Sequence, residues 1–246
     1  MKLAILLIFV IIGIPIHAQE ITPKPLAIGE IRTIESKILK ESRTLNVYLP
    51  SGYDSQKGYP VMYVLDGGID EDFLHITGLV QFFTMTFGMP DHIVVGIENV
   101  DRKRDFTSHT NAADLKKEFP TAGHSDEFIR FIETELQPFV DSQYKTTTTK
   151  YILGQSLGGL LATEILLKKP QLFTHYVIVS PSLWWDNDSL INKAEAMLSN
   201  QSIAPEYVYI AVGADEDKRM ISHAKKLSEL IQKDKRRKIR TDYIKM

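Results

Sequence analysis

Apolar residues follow two patterns along this chain. The first is a set of short continuous runs, such as Val61-Met62-Tyr63-Val64-Leu65 and Ile93-Val94-Val95. Runs of this length suit strands buried on both faces of a parallel sheet. β-Branched and aromatic enrichment between turn residues gives eight strand candidates: Glu30–Leu39, Arg43–Leu49, Pro60–Leu65, His92–Ile97, Lys150–Leu153, His175–Val179, Tyr207–Val212 and Lys238–Ile244. Lys40-Glu41-Ser42 separates the first two, as in a hairpin, and the polar run Thr146 to Thr149 reads as a loop. The second pattern has the helical period. His124–Val140 sets Phe128, Phe131, Ile132, Leu136 and Phe139 at spacings of three and four, with Ser125 as a cap and Asp126 and Glu127 favourable to the dipole. Leu157–Lys169 stops at Pro170, and Ile221–Lys233 is a third amphipathic segment. Strands alternating with helices after an opening hairpin predict an α/β fold with a mostly parallel eight-stranded sheet and helices on both faces.

Composition narrows the function classes. Hydrophobic residues make up 43% and charged residues 24% of the 246 residues, enough to bury one core. A formal net charge of -2 gives no bulk attraction to nucleic acid, and the lack of cysteine removes disulfides and thiolate chemistry. Met1-Lys2, the apolar run Leu3 to Ile14 and Ile16-His17-Ala18 before Gln19 have the layout of a secretory signal peptide. The expected organisation is a signal peptide over residues 1–18 and one domain over residues 19–246, periplasmic or secreted, with no stable membrane span once the signal is removed.

The chemistry is carried by Gly154-Gln155-Ser156-Leu157-Gly158-Gly159, a G-x-S-x-G sequence between a predicted strand and a predicted helix. A tight strand-to-helix turn strains the serine backbone and exposes its hydroxyl. Glycines at 154 and 158 avoid clashes inside the turn. This makes Ser156 the expected nucleophile and the Leu157 amide an oxyanion donor. A second donor is expected after the third strand, at Leu65-Asp66-Gly67-Gly68, and Gly68 is the choice. This fold orders its triad Ser, acid, His. The acid is expected after the seventh strand, where Glu216 is favoured at the fourth position of a G-x-x-acid turn, ahead of Asp215 and then Asp217. The histidine is expected after the eighth strand, and the chain ends at Met246. The expectation is therefore a domain lacking its histidine loop and last helix, with apolar surface exposed on one sheet face. His124 and His223 are the fallback bases. No metal or cofactor is expected.

The stretches Val64-Leu65-Asp66-Gly67, Val95-Gly96-Ile97-Glu98-Asn99-Val100-Asp101-Arg102-Lys103-Arg104-Asp105-Phe106, the serine motif and Ser180-Pro181-Ser182-Leu183-Trp184-Trp185 together resemble a bacterial esterase family. It belongs to the α/β-hydrolase superfamily and includes esterase D and the periplasmic siderophore (enterobactin-type) esterases. The resemblance runs from about Ile31 to the end. It implies ester hydrolysis with Ser156 as nucleophile, the amides near Gly68 and Leu157 as oxyanion hole, and a histidine beyond the last strand.

Trp184 and Trp185 follow the sixth strand at the sheet edge where α/β proteins bind ligands. They are candidates to line a substrate pocket, or else pack into the core. Arg102 and Arg104 either meet an acidic substrate group or pair with Asp101 and Asp105; the ion pair is favoured. The six basic residues of Lys233–Arg240 read as a solvated helix end. The expected partner is a small-molecule ester. The competing functions on this fold are an inert binding protein and an acyltransferase.

Overall fold

The computed structural model describes residues 24–246, so the proposed signal peptide lies outside the described residues. Strands β1 (Glu30–Ser36) and β2 (Glu41–Tyr48) form the hairpin, with Lys40 at a φ of 57° in its turn. The remaining strands are β3 (Tyr59–Val64), β4 (Ile93–Ile97), β5 (Thr146–Gln155), β6 (His175–Val179), β7 (Tyr207–Val212) and β8 (Arg240–Lys245). They join in one eight-stranded sheet of order β1-β2-β4-β3-β5-β6-β7-β8. β1 and β2 run antiparallel and β2 pairs antiparallel with β4; all other neighbours are parallel. The strand that the sequence starts at Lys150 begins at Thr146 instead. The β-branched threonines favour extended backbone, and Thr146 pairs with Tyr59 across a register irregularity.

The helices are α1 (Phe73–Phe87), α2 (Arg102–Phe106), α3 (Ala113–Glu118), α4 (Ser125–Phe131), α5 (Gln137–Gln143), α6 (Leu157–Lys168), α7 (Trp185–Ser199) and α8 (Lys218–Lys233). A π-helical turn, Ile132–Leu136, joins α4 to α5, so the long amphipathic segment is one rod with a local widening. Ser125 is its first helical residue rather than its cap; His124 holds the cap position, and the buried Ser125 Oγ has no partner among the described residues.

Two apolar layers result. The larger packs α4, α5, α6, α7 and α8 against one sheet face, around Ile152, Tyr176, Ile178, Val208 and Ile210. The smaller sets Phe73, Ile76 and Val80 of α1 against Val64 and Val94 on the opposite face. On that second face β5, β6 and β7 carry Tyr151, Leu153, Val177, Tyr207 and Tyr209, all half-buried. A ring ladder crosses it: Tyr151 lies 4.3 Å from His175, which lies 6.1 Å from Tyr207. The outer side of α1 exposes Phe82, Phe83, Met85 and Phe87, and α1 contains no Asp, Glu, Lys or Arg.

α7 opens with three consecutive left-handed residues, Asp186, Asn187 and Asp188, before its regular turns. Thr110 Oγ1 donates to Asp186 at 2.6 Å, and Arg219 of α8 pairs with Asp188 at 2.5 Å. The basic run after α8 is used internally. Arg236 and Arg237 both bond to Asp234, and Arg237 also reaches Gln201.

The buried polar centre joins β2 to α2. Arg43, fully buried, pairs with the equally buried Asp105 and with Glu41 at 2.5 Å; Arg104 pairs with the same two acids. The Arg43 guanidinium also lies 5.2 Å over the Phe128 ring. Removing Asp105 leaves two guanidiniums, Arg43 and Arg104, to share the single carboxylate of Glu41 at a largely buried site. Asp105→Ala is therefore expected to lower unfolding free energy by about 3–5 kcal/mol, read from urea denaturation. A loss below about 1 kcal/mol, the range of a solvent-exposed pair, would contradict this account.

Candidate active site

β5 ends at Gln155 and α6 begins at Leu157, so Ser156 alone makes the turn. Its φ of 56° and ψ of -116° are strained for a residue with a Cβ, at a cost of about 1–3 kcal/mol. The surroundings hold it there. The Ser156 amide donates to Val179 O at 3.0 Å, and its carbonyl accepts from Leu160 N at 2.9 Å and Ser182 N at 3.0 Å. The glycines permit the approach. A Cβ on Gly154 would lie 2.3 Å from Gly158 O, and one on Gly159 would lie 2.9 Å from Val179 O. Gly158, credited in the sequence with the same need, would meet nothing nearer than 3.3 Å. Gly159 is thus the second constrained position of the motif.

Ser156 Oγ faces Ser182 Oγ at 3.3 Å, a long contact that leaves the hydroxyl weakly held. Leu157 is the first residue of α6, so its amide has no intrahelical acceptor and lies at the positive end of the helix dipole.

The loop after β3 packs beside this turn. Asp66 takes a left-handed φ of 55°, and its Oδ2 lies 3.3 Å from where a Gly158 Cβ would stand. Arg102 grips Asp66 with both ends of its guanidinium, Nε to Oδ1 at 2.6 Å and Nη2 to Oδ2 at 2.8 Å, and reaches Gln155 O at 3.3 Å. Its partner is therefore Asp66, not Asp101 or Asp105, and the contact raises its pKa above the usual arginine value. Asp101 instead caps α2 through Arg104 N at 3.0 Å.

The two glycine amides of this loop are both occupied. Gly67 N donates to Ile97 O at 2.9 Å. Gly68 N, the expected second oxyanion donor, donates to Glu71 Oε2 at 2.8 Å. Glu71 Oε1 accepts from Asn99 Nδ2 at 2.7 Å, and the same nitrogen donates to Asp66 Oδ1 at 2.6 Å.

Beyond β7, Glu216 Oε1 accepts from Gly213 N at 2.8 Å and from Ser180 Oγ at 2.5 Å. Ser180 follows β6 with a φ of 45°. Asp217 is the N-cap of α8, accepting from Arg219 N at 2.8 Å, whereas Asp215 lies exposed in the loop. The end of β8 runs alongside: Met246 N donates to Val212 O at 3.0 Å, and Ala214 N donates to Met246 O.

Among the described residues no histidine hydrogen-bonds to Ser156. His124 is exposed, 3.8 Å from Glu127. His223 is buried on α8 with its Nε2 3.6 Å from Asp188, and burial pushes its pKa below the usual imidazole value. The tryptophans part company. Trp185 is 2% exposed, packs on Phe119 and donates its indole N–H to Ser108 O at 2.9 Å, so it offers no face to a ligand. Trp184 stays half-buried.

Ser182, Ser180, Asn99 and Glu71 were not singled out from the sequence as site residues. Two signals could have found the first three: each follows a strand at the sheet's C-terminal edge, and each lies in a stretch that resembles the esterase family.

Known proteins resemble this chain in both sequence and fold. A family model described as "Putative esterase" matches residues 36–245. The ferri-bacillibactin esterase BesA of Bacillus subtilis is 31% identical over 224 residues, 81% of this chain and 76% of that protein. The siderophore triacetylfusarinine C esterase of Aspergillus fumigatus is 32% identical over 196 residues, 74% of this chain and 65% of that protein. Among solved structures, the BES protein from Bacillus cereus superposes with a TM-score of 0.79 at 27% identity, covering 92% of this chain and 89% of that one. An IroE-like serine hydrolase from Shewanella oneidensis gives 0.78 at 28% identity, covering 88% and 73%. The chain belongs to the putative esterase family, on an α/β-hydrolase fold.

Proposed function

We propose that this protein is a serine carboxyl-ester hydrolase that works through an acyl-enzyme on Ser156. The observation that carries the reading is the strained turn. It sets a weakly held hydroxyl at the N-terminus of α6. Ser156 Oγ attacks the ester carbonyl, and the tetrahedral oxyanion takes the Leu157 amide and a donor of the β3–α1 loop. The alcohol leaves with a proton, and water then hydrolyses the acyl group and frees the serine. Glu216 is the acid of the site, held ready by Gly213 N and Ser180 Oγ. The base is a histidine, and none among the described residues comes within hydrogen-bond reach of Ser156; the end of β8 runs beside the Glu216 loop. The siderophore esterases among the relatives support a siderophore ester as substrate class, with half-buried Trp184, two residues beyond Ser182, as the side chain to meet it. Export to the periplasm or medium through residues 1–18 fits such a substrate. Among the described residues, no helix is long and apolar enough to cross a membrane.

Three outcomes test this reading. Ser156→Ala should abolish labelling by a fluorophosphonate probe, and undiminished labelling would remove the nucleophile. Residues 1–246 should hydrolyse p-nitrophenyl acetate slowly, because no described histidine reaches Ser156 and a serine without a base keeps only about 10³–10⁴-fold catalysis over water. Added imidazole should raise the turnover that depends on Ser156. Fast turnover indifferent to imidazole, and lost in His124→Ala or His223→Ala, would move the base to that histidine. Mass spectrometry of protein recovered from its native host should find Gln19 at the N-terminus; an intact Met1 on the exported protein would contradict cleavage.

A further inference from the structure

Two hydrogen-bond donors converge on one anion in the loop that Asp66 and Arg102 tie to the Ser156 turn, and that anion belongs to the protein. Gly68 N–H and Asn99 Nδ2 donate to the two oxygens of Glu71 at 2.8 Å and 2.7 Å. The Arg102 guanidinium, fixed on Asp66, lies close enough for the Glu71 charge to help raise its pKa. Glu71 itself is an exposed side chain at the start of the turn into α1, free to swing into solvent. Its own backbone stays tied by Glu71 N to Gly68 O at 3.0 Å, so the side chain can leave without moving the loop.

The Asn99 and Gly68 donors thus form a cradle for one negatively charged oxygen pair. An ester carbonyl becoming an oxyanion needs such donors. It cannot share them with a carboxylate, because two like charges at hydrogen-bond distance repel strongly in a partly desolvated site. We infer that Glu71 is a specificity-determining occupant of the oxyanion cradle. The substrate displaces it, and the reacting oxygen inherits both Gly68 N–H and the side-chain amide of Asn99. This makes Asn99 a catalytic donor for the reaction. It also makes Glu71 a charge that stays at the rim during turnover, favouring esters that bring a cation or a hydroxyl donor to meet it. The inference rests on the ester-hydrolase reading of Ser156.

The test combines a contact readout and a reaction readout on the folded chain. In ¹H–¹⁵N spectra Glu71→Ala should shift the Gly68 amide resonance, as the loss of its hydrogen-bond acceptor requires. Glu71→Ala should also react faster with a neutral fluorophosphonate, on the order of tenfold, the scale of one charge-assisted hydrogen bond no longer competing. Adding Asn99→Ala in that background should slow the reaction again, with thermal melts showing that both variants stay folded. A Gly68 amide blind to Glu71, or a folded Glu71→Ala that reacts no faster, overturns the assignment. So does an Asn99 substitution without effect on the rate. Labelling that never depends on Ser156 in any variant would instead bring down the hydrolase reading, and this inference with it.

Discussion

The site depends on one backbone constraint, the passage from β5 to α6 through a single left-handed serine. Everything near it is arranged to make that conformation the least costly one. Gly154 lets the Gly158 carbonyl approach, Gly159 lets the end of β6 approach, and the Ser156 amide and carbonyl are both bonded to the strand and loop beside them. A cost of about 1–3 kcal/mol is affordable only because these contacts over-determine the turn. The same geometry aims the first amides of α6 at the space above the hydroxyl. Strain, the placing of the half-buried serine hydroxyl and the position of the Leu157 amide are therefore a single structural fact.

Ion pairs hold the surrounding loops to that turn. Asp66 and Arg102 link the loop after β3 to the one after β4, and Arg102 extends to the carbonyl of Gln155, next to Ser156. Behind them Glu41, Arg43, Arg104 and Asp105 weld the hairpin to α2. Buried ion pairs contribute little net stability compared with apolar packing, because desolvation offsets attraction. What they supply here is placement. Each carboxylate accepts only from certain donors, so the two loops have one register relative to each other. The Asn99 amide, which bonds at once to Asp66 and Glu71, is positioned by that register.

Much of this was legible from residues alone. The β6 and β7 runs have their predicted limits because both are continuous apolar segments between clear turns. The turn at Ser156 was readable because only small residues fit it. Helix α1 was not readable: its outer face is as apolar as its inner one, so no 3.6-residue period marks it. The start of α7 was hidden for the opposite reason, since its first residues are polar and left-handed. At the site, side chains far apart in sequence decide the outcome. Nothing local says that Arg102 will choose Asp66 over its neighbours Asp101 and Asp105. Nor does it say that Trp185 turns inward while Trp184 does not. Such choices belong to packing, which is settled only when distant strands meet.

The left-handed run Asp186-Asn187-Asp188 has a consequence for the history of the gene. Three adjacent positions each need a backbone shape that only glycine, asparagine and aspartate adopt cheaply. Two of the side chains are also committed, to Thr110 on one flank and to Arg219 on the other. Drift is therefore confined there to a very small alphabet, and a β-branched replacement has to be matched by a rebuilt loop. A stretch that looks like ordinary polar surface in composition should change slowly between lineages, at the pace of the core and not of the surface.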